Sequence, residues 1–278
     1  MINDITAQLL PCYPEDEARS LAWWIVEEET GLSRSQILSG CKITKNFAHV
    51  QEVIDRLLHF EPIQYIFGHT EWCGLDLRVT PATLIPRPET AELVEKITNY
   101  QLPITNCRVL DVGTGSGCIA IALKKAHPEW QVTGIDISPE AIEIARENAA
   151  RNGVEVTFQV ADIFSDSIGD FDLVVSNPPY ITESEKSSMR PNVLDFEPHT
   201  ALFVPDSDPL RFYRRIAELL KNHQSSIINH QSSHLFFEIN EAFGEEMKNL
   251  FADLGYTDIH ITNDIYGKAR IIEGRMVG

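Results

Sequence analysis

Apolar residues along this 278-residue chain follow two successive rhythms. Val50, Val53, Ile54, Leu57 and Leu58 recur at three- and four-residue spacing within 47–60, the signature of one helix face. Residues 15–29 mix charged and apolar side chains in the same manner, and Ser33-Arg34-Ser35-Gln36 starts another helix. Residues 1–70 are therefore expected to form a small helical domain. Over 68–90, Trp72, Leu75, Leu77 and Val79 alternate with polar or small residues, and Gly74 sits where a hairpin can turn. Pro81, Pro86 and Pro88 mark a linker, so 71–90 reads as hairpin plus linker and 91–278 as a second domain.

From residue 107 the pattern becomes strand, turn, helix, repeated. Strands are predicted at 108–112, 131–136, 154–162, 171–177, 234–240, 256–262 and 269–274. Helices lie between them: one opens after "GTGSG", and another at Ser138, an N-cap residue followed by Pro139 in the first helical position. Alternation of this kind predicts an α/β fold with a mostly parallel sheet covered on both faces. The polar duplication at 222–233 reads as a variable loop.

Composition narrows the possibilities. A hydrophobic content of 43% is ample for a core. Lys+Arg 23 against Asp+Glu 41 gives a net charge of -18, which repels nucleic acid phosphates and makes duplex DNA a poor partner. Five cysteines (Cys12, Cys41, Cys73, Cys107, Cys118) form no CxxC pair and no cluster with histidine, so no metal site or disulfide framework is expected. They fit reduced thiols in a cytoplasm. With no apolar run long enough to span a membrane and no signal-peptide layout in MINDITAQLL, a soluble intracellular protein is expected.

Candidate chemistry gathers at the carboxyl ends of successive predicted strands, the edge at which open α/β sheets bind ligands. Gly113, Gly115 and Gly117 follow the first strand and precede a helix N-terminus, where backbone can approach a ligand closely; a plain tight turn is the alternative. Asp136 ends the second strand, placed to accept both hydrogen bonds of a ribose diol. Asp162 ends the third, where it can meet an adenine amine. Either acid can instead cap the next helix. The fourth strand delivers Asn177-Pro178-Pro179-Tyr180. The Asn177 carboxamide and the Pro178 carbonyl offer two acceptors for both hydrogens of a planar NH₂ group, and Tyr180 a flat face beside it. A Pro-Pro loop with a buried tyrosine is the alternative.

"LDVGTGSG", Asp136 and "NPPY" together resemble class I S-adenosylmethionine-dependent methyltransferases that modify amide or exocyclic amino nitrogens. The segment "EPIQYIFGHTEWCGLDLRVTPATLIPRPETAELVE" (61–95) resembles, more specifically, the peptide chain release factor glutamine methyltransferases, and the likeness runs on to "NDIYGKARIIEGR" (263–275). That resemblance implies a Rossmann-like domain with a mostly parallel seven-stranded sheet, joined by a β-hairpin to a helical domain that recognises the protein partner. It implies S-adenosyl-L-methionine as cofactor, with Gly113, Thr114, Gly115, Ser116 and Gly117 around its methionine part, Asp136 on its ribose, and Asp162, Ile163 and Asn177 completing its site. Relatives often carry an aromatic residue where this chain has Ile163, with Phe164 next. Asn177, Pro178, Pro179 and Tyr180 would receive the glutamine of a Gly-Gly-Gln loop, with Asn177, Pro178 and Tyr180 catalytic. Methyl transfer would be in-line, without metal or covalent enzyme intermediate, and Arg87 and Glu89 would stand in a stiff lid at 83–90, with a plain linker as the alternative. Three rivals make different demands. An adenine methyltransferase wants a basic groove, a nicotinamide oxidoreductase wants GxGxxG and leaves NPPY unexplained, and a non-catalytic adaptor wants a vestigial pocket.

Overall fold

The computed structural model describes residues 1–41, 49–100, 106–224 and 232–277. They divide into two compact units, 1–69 with 190–196 and 70–189 with 197–278.

The smaller unit is helical: α1 (Ile2–Leu9), α2 (Glu15–Thr30), α3 (Arg34–Leu38), α4 (Val50–Leu58) and α5 (Ile63–Phe67). Three acids, Glu15, Asp16 and Glu17, occupy the first turn of α2, where the helix dipole favours negative charge, and Gly31 ends it in the left-handed conformation. The predicted apolar face of α4 buries Val53, Ile54 and Leu57 against Ala18, Ala22, Ile25 and Val26 of α2 and Ile5 and Leu9 of α1. The helix expected over 47–60 begins at Val50; residues 42–48 lie outside the described set. The unit also contains 190–196, a stretch that the sequence pattern assigns to the second domain. Here Arg190 donates to Glu17 at 2.9 Å.

The larger unit opens with a hairpin, β1 (His69–Trp72) and β2 (Leu75–Arg78), whose two-residue turn puts Cys73 and Gly74 at φ 50° and 68°. Pro88 belongs to no linker: it starts α6 (Pro88–Thr98) at a position where its missing N–H costs no hydrogen bond. Then come β3 (Arg108–Val112), α7 (Cys118–Ala126), β4 (Gln131–Asp136), α8 (Pro139–Arg151), β5 (Thr157–Val160) and β6 (Leu173–Ser176). A two-residue strand pair, β7 (Ile181–Thr182) with β8 (Phe203–Val204), follows, and α9 (Pro191–Leu194) lies between its strands in sequence. The chain closes with α10 (Arg211–Gln224), β9 (Ser233–Glu238), α11 (Gly244–Leu254), β10 (Thr257–Asn263) and β11 (Ala269–Met276). The strand expected at 154–162 is shorter because only Thr157 to Val160 pair with β4; Val154 and Val156 instead pack against the core. Of the predicted loop 222–233, the start is helical and Ser233 is strand; 225–231 lie outside the described residues.

The seven-stranded sheet has the order β10-β11-β9-β6-β3-β4-β5. Six strands point the same way, five of them (β9, β6, β3, β4 and β5) as hydrogen-bonded parallel neighbours, and β11 alone is reversed, antiparallel to both β10 and β9. Successive residues feed opposite layers, as strand geometry requires. Leu173 and Val175 of β6 join the layer under α6, α7 and α8, whereas Val174 joins that of α10 and α11. Phe236 and its neighbours Leu235 and Phe237 divide in the same way. The chain leaves β3 toward β4 and later returns to its other side as β6, so the strand order reverses between β3 and β6. That switch point opens the ligand crevice of such sheets.

Candidate active site

A cavity of about 500 Å³ lies at this crevice, within the larger unit. Its wall includes Gly113 and Gly115 after β3, Asp136 at the end of β4, Asp162 and Ile163 after β5, and Asn177, Pro178 and Pro179 after β6. Ala82, Thr83 and Leu84 line another side, as do Pro198, Thr200, Ala201 and Phe203. Glu197, fully buried, ties these two segments together: Arg87 donates to its Oε1 at 2.6 Å and the Ile85 N–H to its Oε2 at 3.3 Å.

The glycine loop turns through positive φ at Gly113, Gly115 and Gly117 (71°, 54° and 80°). The Gly113 and Thr114 N–H groups donate to the Ile135 carbonyl at 2.9 Å, which anchors the loop on β4. Thr114, Ser116 and Gly117 do not line the cavity; they brace the loop from behind. Thr114 donates to Asp111 Oδ2 at 2.6 Å, the Ser116 carbonyl accepts from Asn148 at 2.8 Å, and a Cβ at Gly117 would stand 3.1 Å from Ala145, Ile121 and Phe158. Asp111 is fully buried, and its Oδ1 has no hydrogen-bond partner among the described residues. Burial pushes its carboxyl up to about 7, against the bonds from Thr114 and the Ala120 N–H.

Asp136 is not a helix cap. Ser138 caps α8, accepting from the Ala141 N–H at 3.1 Å, while Asp136 takes the Gly115 N–H on Oδ2 and the Ser138 N–H on Oδ1, both at 2.9 Å. Each carboxylate oxygen keeps lone-pair capacity for a diol. Burial raises the Asp136 pKa, and backbone N–H groups oppose the rise. Asp162 makes a local turn, its Oδ1 accepting from the Phe164 N–H at 2.9 Å, which leaves Oδ2 uncommitted among the described residues. Ile163 is buried in the wall, whereas Phe164 is 36% exposed at the rim, with the Arg211 guanidinium 4.4 Å above its ring and Phe212 edge-on at 5.0 Å.

At the end of β6, Ser176 donates to the Val112 carbonyl at 2.6 Å and locks the two strands of the switch point. Asn177 Nδ2 donates to Thr90 Oγ1 at 3.1 Å, Thr90 donates to Glu238 Oε2 at 2.6 Å, and the Tyr180 hydroxyl donates to Glu238 Oε1 at 3.0 Å. Asn177 Oδ1 has no partner among the described residues. Tyr180 does not line the cavity; its ring packs against the apolar layer of α10 and α11, and its hydroxyl faces the carboxylate. Glu238 is 1% exposed. Burial raises its pKa, while the bonds from Thr90 and Tyr180 and the charge of Arg270 lower it. Sequence reasoning missed Thr90, Glu197 and Glu238. Glu238 had a signal, because a carboxylate inside the apolar run Leu235-Phe236-Phe237 has to find donors. Thr90 had none.

The arrangement offers backbone donors, a pre-oriented carboxylate and a free carboxamide oxygen around one apolar cavity, a donor set suited to a nucleoside cofactor beside an NH₂-bearing substrate. Known proteins match the chain along nearly its whole length. The family profile described as "PrmC N-terminal domain" matches residues 1–68, and "Methyltransferase small domain" matches 89–194. A release factor glutamine methyltransferase of Bacteroides thetaiotaomicron is 46% identical over 285 residues, covering 98% of this chain and 99% of the relative. One of Flavobacterium psychrophilum is 41% identical over 273 residues, 95% and 94% of the two chains. Among solved structures, a methyltransferase of Pyrococcus furiosus superposes with a TM-score of 0.52 at 19% identity, covering 80% of this chain and 96% of that one, a likeness of fold.

Proposed function

Because the chain belongs to the release factor glutamine methyltransferases, we propose that it methylates the side-chain amide nitrogen of the Gly-Gly-Gln glutamine in class 1 peptide chain release factors, with S-adenosyl-L-methionine as donor. What carries the reading is the meeting of the glycine loop, Asp136 and Asn177 around one cavity in a chain 46% identical, over 98% of its length, to such an enzyme.

The residues present fit this cofactor. Gly113 and Gly115 bring backbone to the cavity wall, and Asp136 keeps acceptor capacity for the ribose hydroxyls. Asp162 Oδ2 is available to the adenine amine, and Ile163 gives its ring an apolar wall. When bound, S-adenosyl-L-methionine supplies a methyl group on an already electrophilic sulfonium. The protein's task is therefore orientation. A glutamine amide is a poor nucleophile because its nitrogen lone pair is delocalised into the carbonyl. Asn177 Oδ1 and the Pro178 carbonyl accept its two N–H bonds, aim the nitrogen at the methyl group and draw off charge as the new bond forms, a contribution of several kcal/mol at most. Pro178 and Pro179 fix φ on this platform and add no N–H of their own. Tyr180 holds the platform from behind through Glu238, and the amide proton leaves to water.

In the same reading the helical domain, matched separately as "PrmC N-terminal domain", recognises the release factor, and the reaction takes place in the cytoplasm. The charge of -18 opposes direct binding of nucleic acid. The test is incubation with methyl-labelled S-adenosylmethionine and purified release factor, RNA or DNA, followed by mass spectrometric mapping. Label is expected on the Gly-Gly-Gln glutamine; label on an adenine, or none on that glutamine, overturns the reading.

A further inference from the structure

We propose that Thr90 and Glu238 form a hydrogen-bond relay that sets which way the Asn177 carboxamide faces, and thereby makes the site a receptor for an NH₂ group. The inference rests on the reading that Asn177 receives the substrate amide, and it assigns positioning roles to two residues outside the NPPY segment.

An asparagine amide has nearly the same shape in its two orientations, so shape alone does not choose between oxygen and nitrogen at the cavity wall. The polarity of its neighbour does. Thr90 has one hydroxyl proton, and Glu238 Oε2 takes it at 2.6 Å. Its Oγ1 therefore meets Asn177 with lone pairs, and only the NH₂ end of the amide makes a bond there, at 3.1 Å. The reversed amide would set two acceptors against each other and turn donors toward the substrate's own donors. Oδ1 is left for the substrate.

The direction of the relay originates at Glu238. A carboxylate accepts hydrogen bonds and donates none, and this one takes the Tyr180 proton on its other oxygen at 3.0 Å. Two hydroxyls, one from α6 and one from the segment after β6, are thus turned toward one buried charge. Glu238 lies at the end of β9, and Arg270, beside it on β11, lends it positive charge while donating to Asp264 at 3.2 Å. A glutamine here would have the same outline but a donor at one end. With that donor facing Thr90, the hydroxyl proton is released toward Asn177 and favours the wrong amide orientation.

The test uses the full chain with Thr90→Val, which keeps the shape and removes the hydroxyl; Thr90→Ser, which restores it; and Glu238→Gln. Melting temperature, calorimetric affinity for S-adenosylmethionine, and kcat and KM toward purified release factor are measured for each. Thr90→Val and Glu238→Gln are expected to lower kcat by about tenfold to a hundredfold, the scale of a misoriented reacting group. Cofactor affinity should be unchanged, and Thr90→Ser should recover most of the rate. Thr90→Val at full activity, or Thr90→Ser as impaired as Thr90→Val, overturns the relay, and Thr90→Val decides even where Glu238→Gln fails to fold. An unchanged chain that leaves the release factor unmethylated overturns the functional reading itself, and the relay with it.

Discussion

In the proposed mechanism Asn177 contributes one atom, Oδ1, while its Nδ2 is held by Thr90 at 3.1 Å. On that reading, replacing it with alanine removes an acceptor for the substrate amide and no cofactor ligand of comparable weight. Asn177→Ala is therefore expected to lower kcat by about a hundredfold or more, the scale of one lost transition-state hydrogen bond. Binding of S-adenosylmethionine, followed by calorimetry, should be largely retained; loss of folding instead would make Asn177 a structural residue. Asp111 shows the opposite economy, a carboxyl buried for the sake of the loop above it. Its pKa stands at about 7 in the folded chain against an ordinary 3.8. The folded state thus holds the proton over a range in which the unfolded chain gives it up. Its contribution to stability is greatest below about pH 4, declines as pH rises to about 7 and then levels off. Asp111→Asn removes that dependence, so the variant should gain on the unchanged chain in denaturant unfolding as pH rises through this window. A parallel pair of pH profiles would refute the assignment.

At the scale of elements, the glycine loop depends on β4 as much as on its own glycines. Gly134, inside β4, leaves the space into which Thr114 and Phe158 fit: an added Cβ would stand 2.7 Å from Thr114 Oγ1 and from the Phe158 ring. Neither neighbour is the free end of a flexible chain, since Thr114 is bonded to Asp111 and Phe158 is buried. Gly134→Ala is expected to cost about 1–3 kcal/mol, the usual penalty of overpacking. It should also weaken cofactor binding by displacing Gly113 and Gly115; a stable variant with normal affinity in calorimetry would refute the coupling. The platform after β6 is likewise built from two elements, because its bonds run to α6 and β9.

For the whole molecule, a ligand that binds only the folded chain stabilises it by mass action. S-adenosylmethionine at a hundred times its dissociation constant should add about 2.7 kcal/mol, or roughly 5–10 °C in Tm for a unit of this size. Differential scanning fluorimetry would record the shift, and its absence would leave the cavity without its assigned ligand. The division into two units also qualifies the sequence-based boundaries. Residues 190–196 fold with the N-terminal helices although more than a hundred residues of the other unit precede them. Local composition cannot announce such a return, since a four-residue helix such as α9 carries no period long enough to read.

By itself, the sequence determined the kind and order of the seven sheet strands and of the longer helices, because helical and strand periodicities, N-caps and turn glycines act over a few residues. It also determined the chemical inventory: a glycine loop and two acids at the ends of successive strands, and NPPY at the end of the next. Tertiary structure alone decided which members of that inventory reach the cavity. Thr114, Ser116 and Gly117 brace it from behind, Tyr180 turns toward the core, and Ile163 enters the wall while Phe164 stays at the rim. It alone also joined Thr90 to Glu238 across 148 positions and Arg87 to Glu197 across 110. The physical reason is that these meetings depend on the order of strands in the sheet. That order is set by how all the apolar faces are buried together, and no single stretch of chain records it.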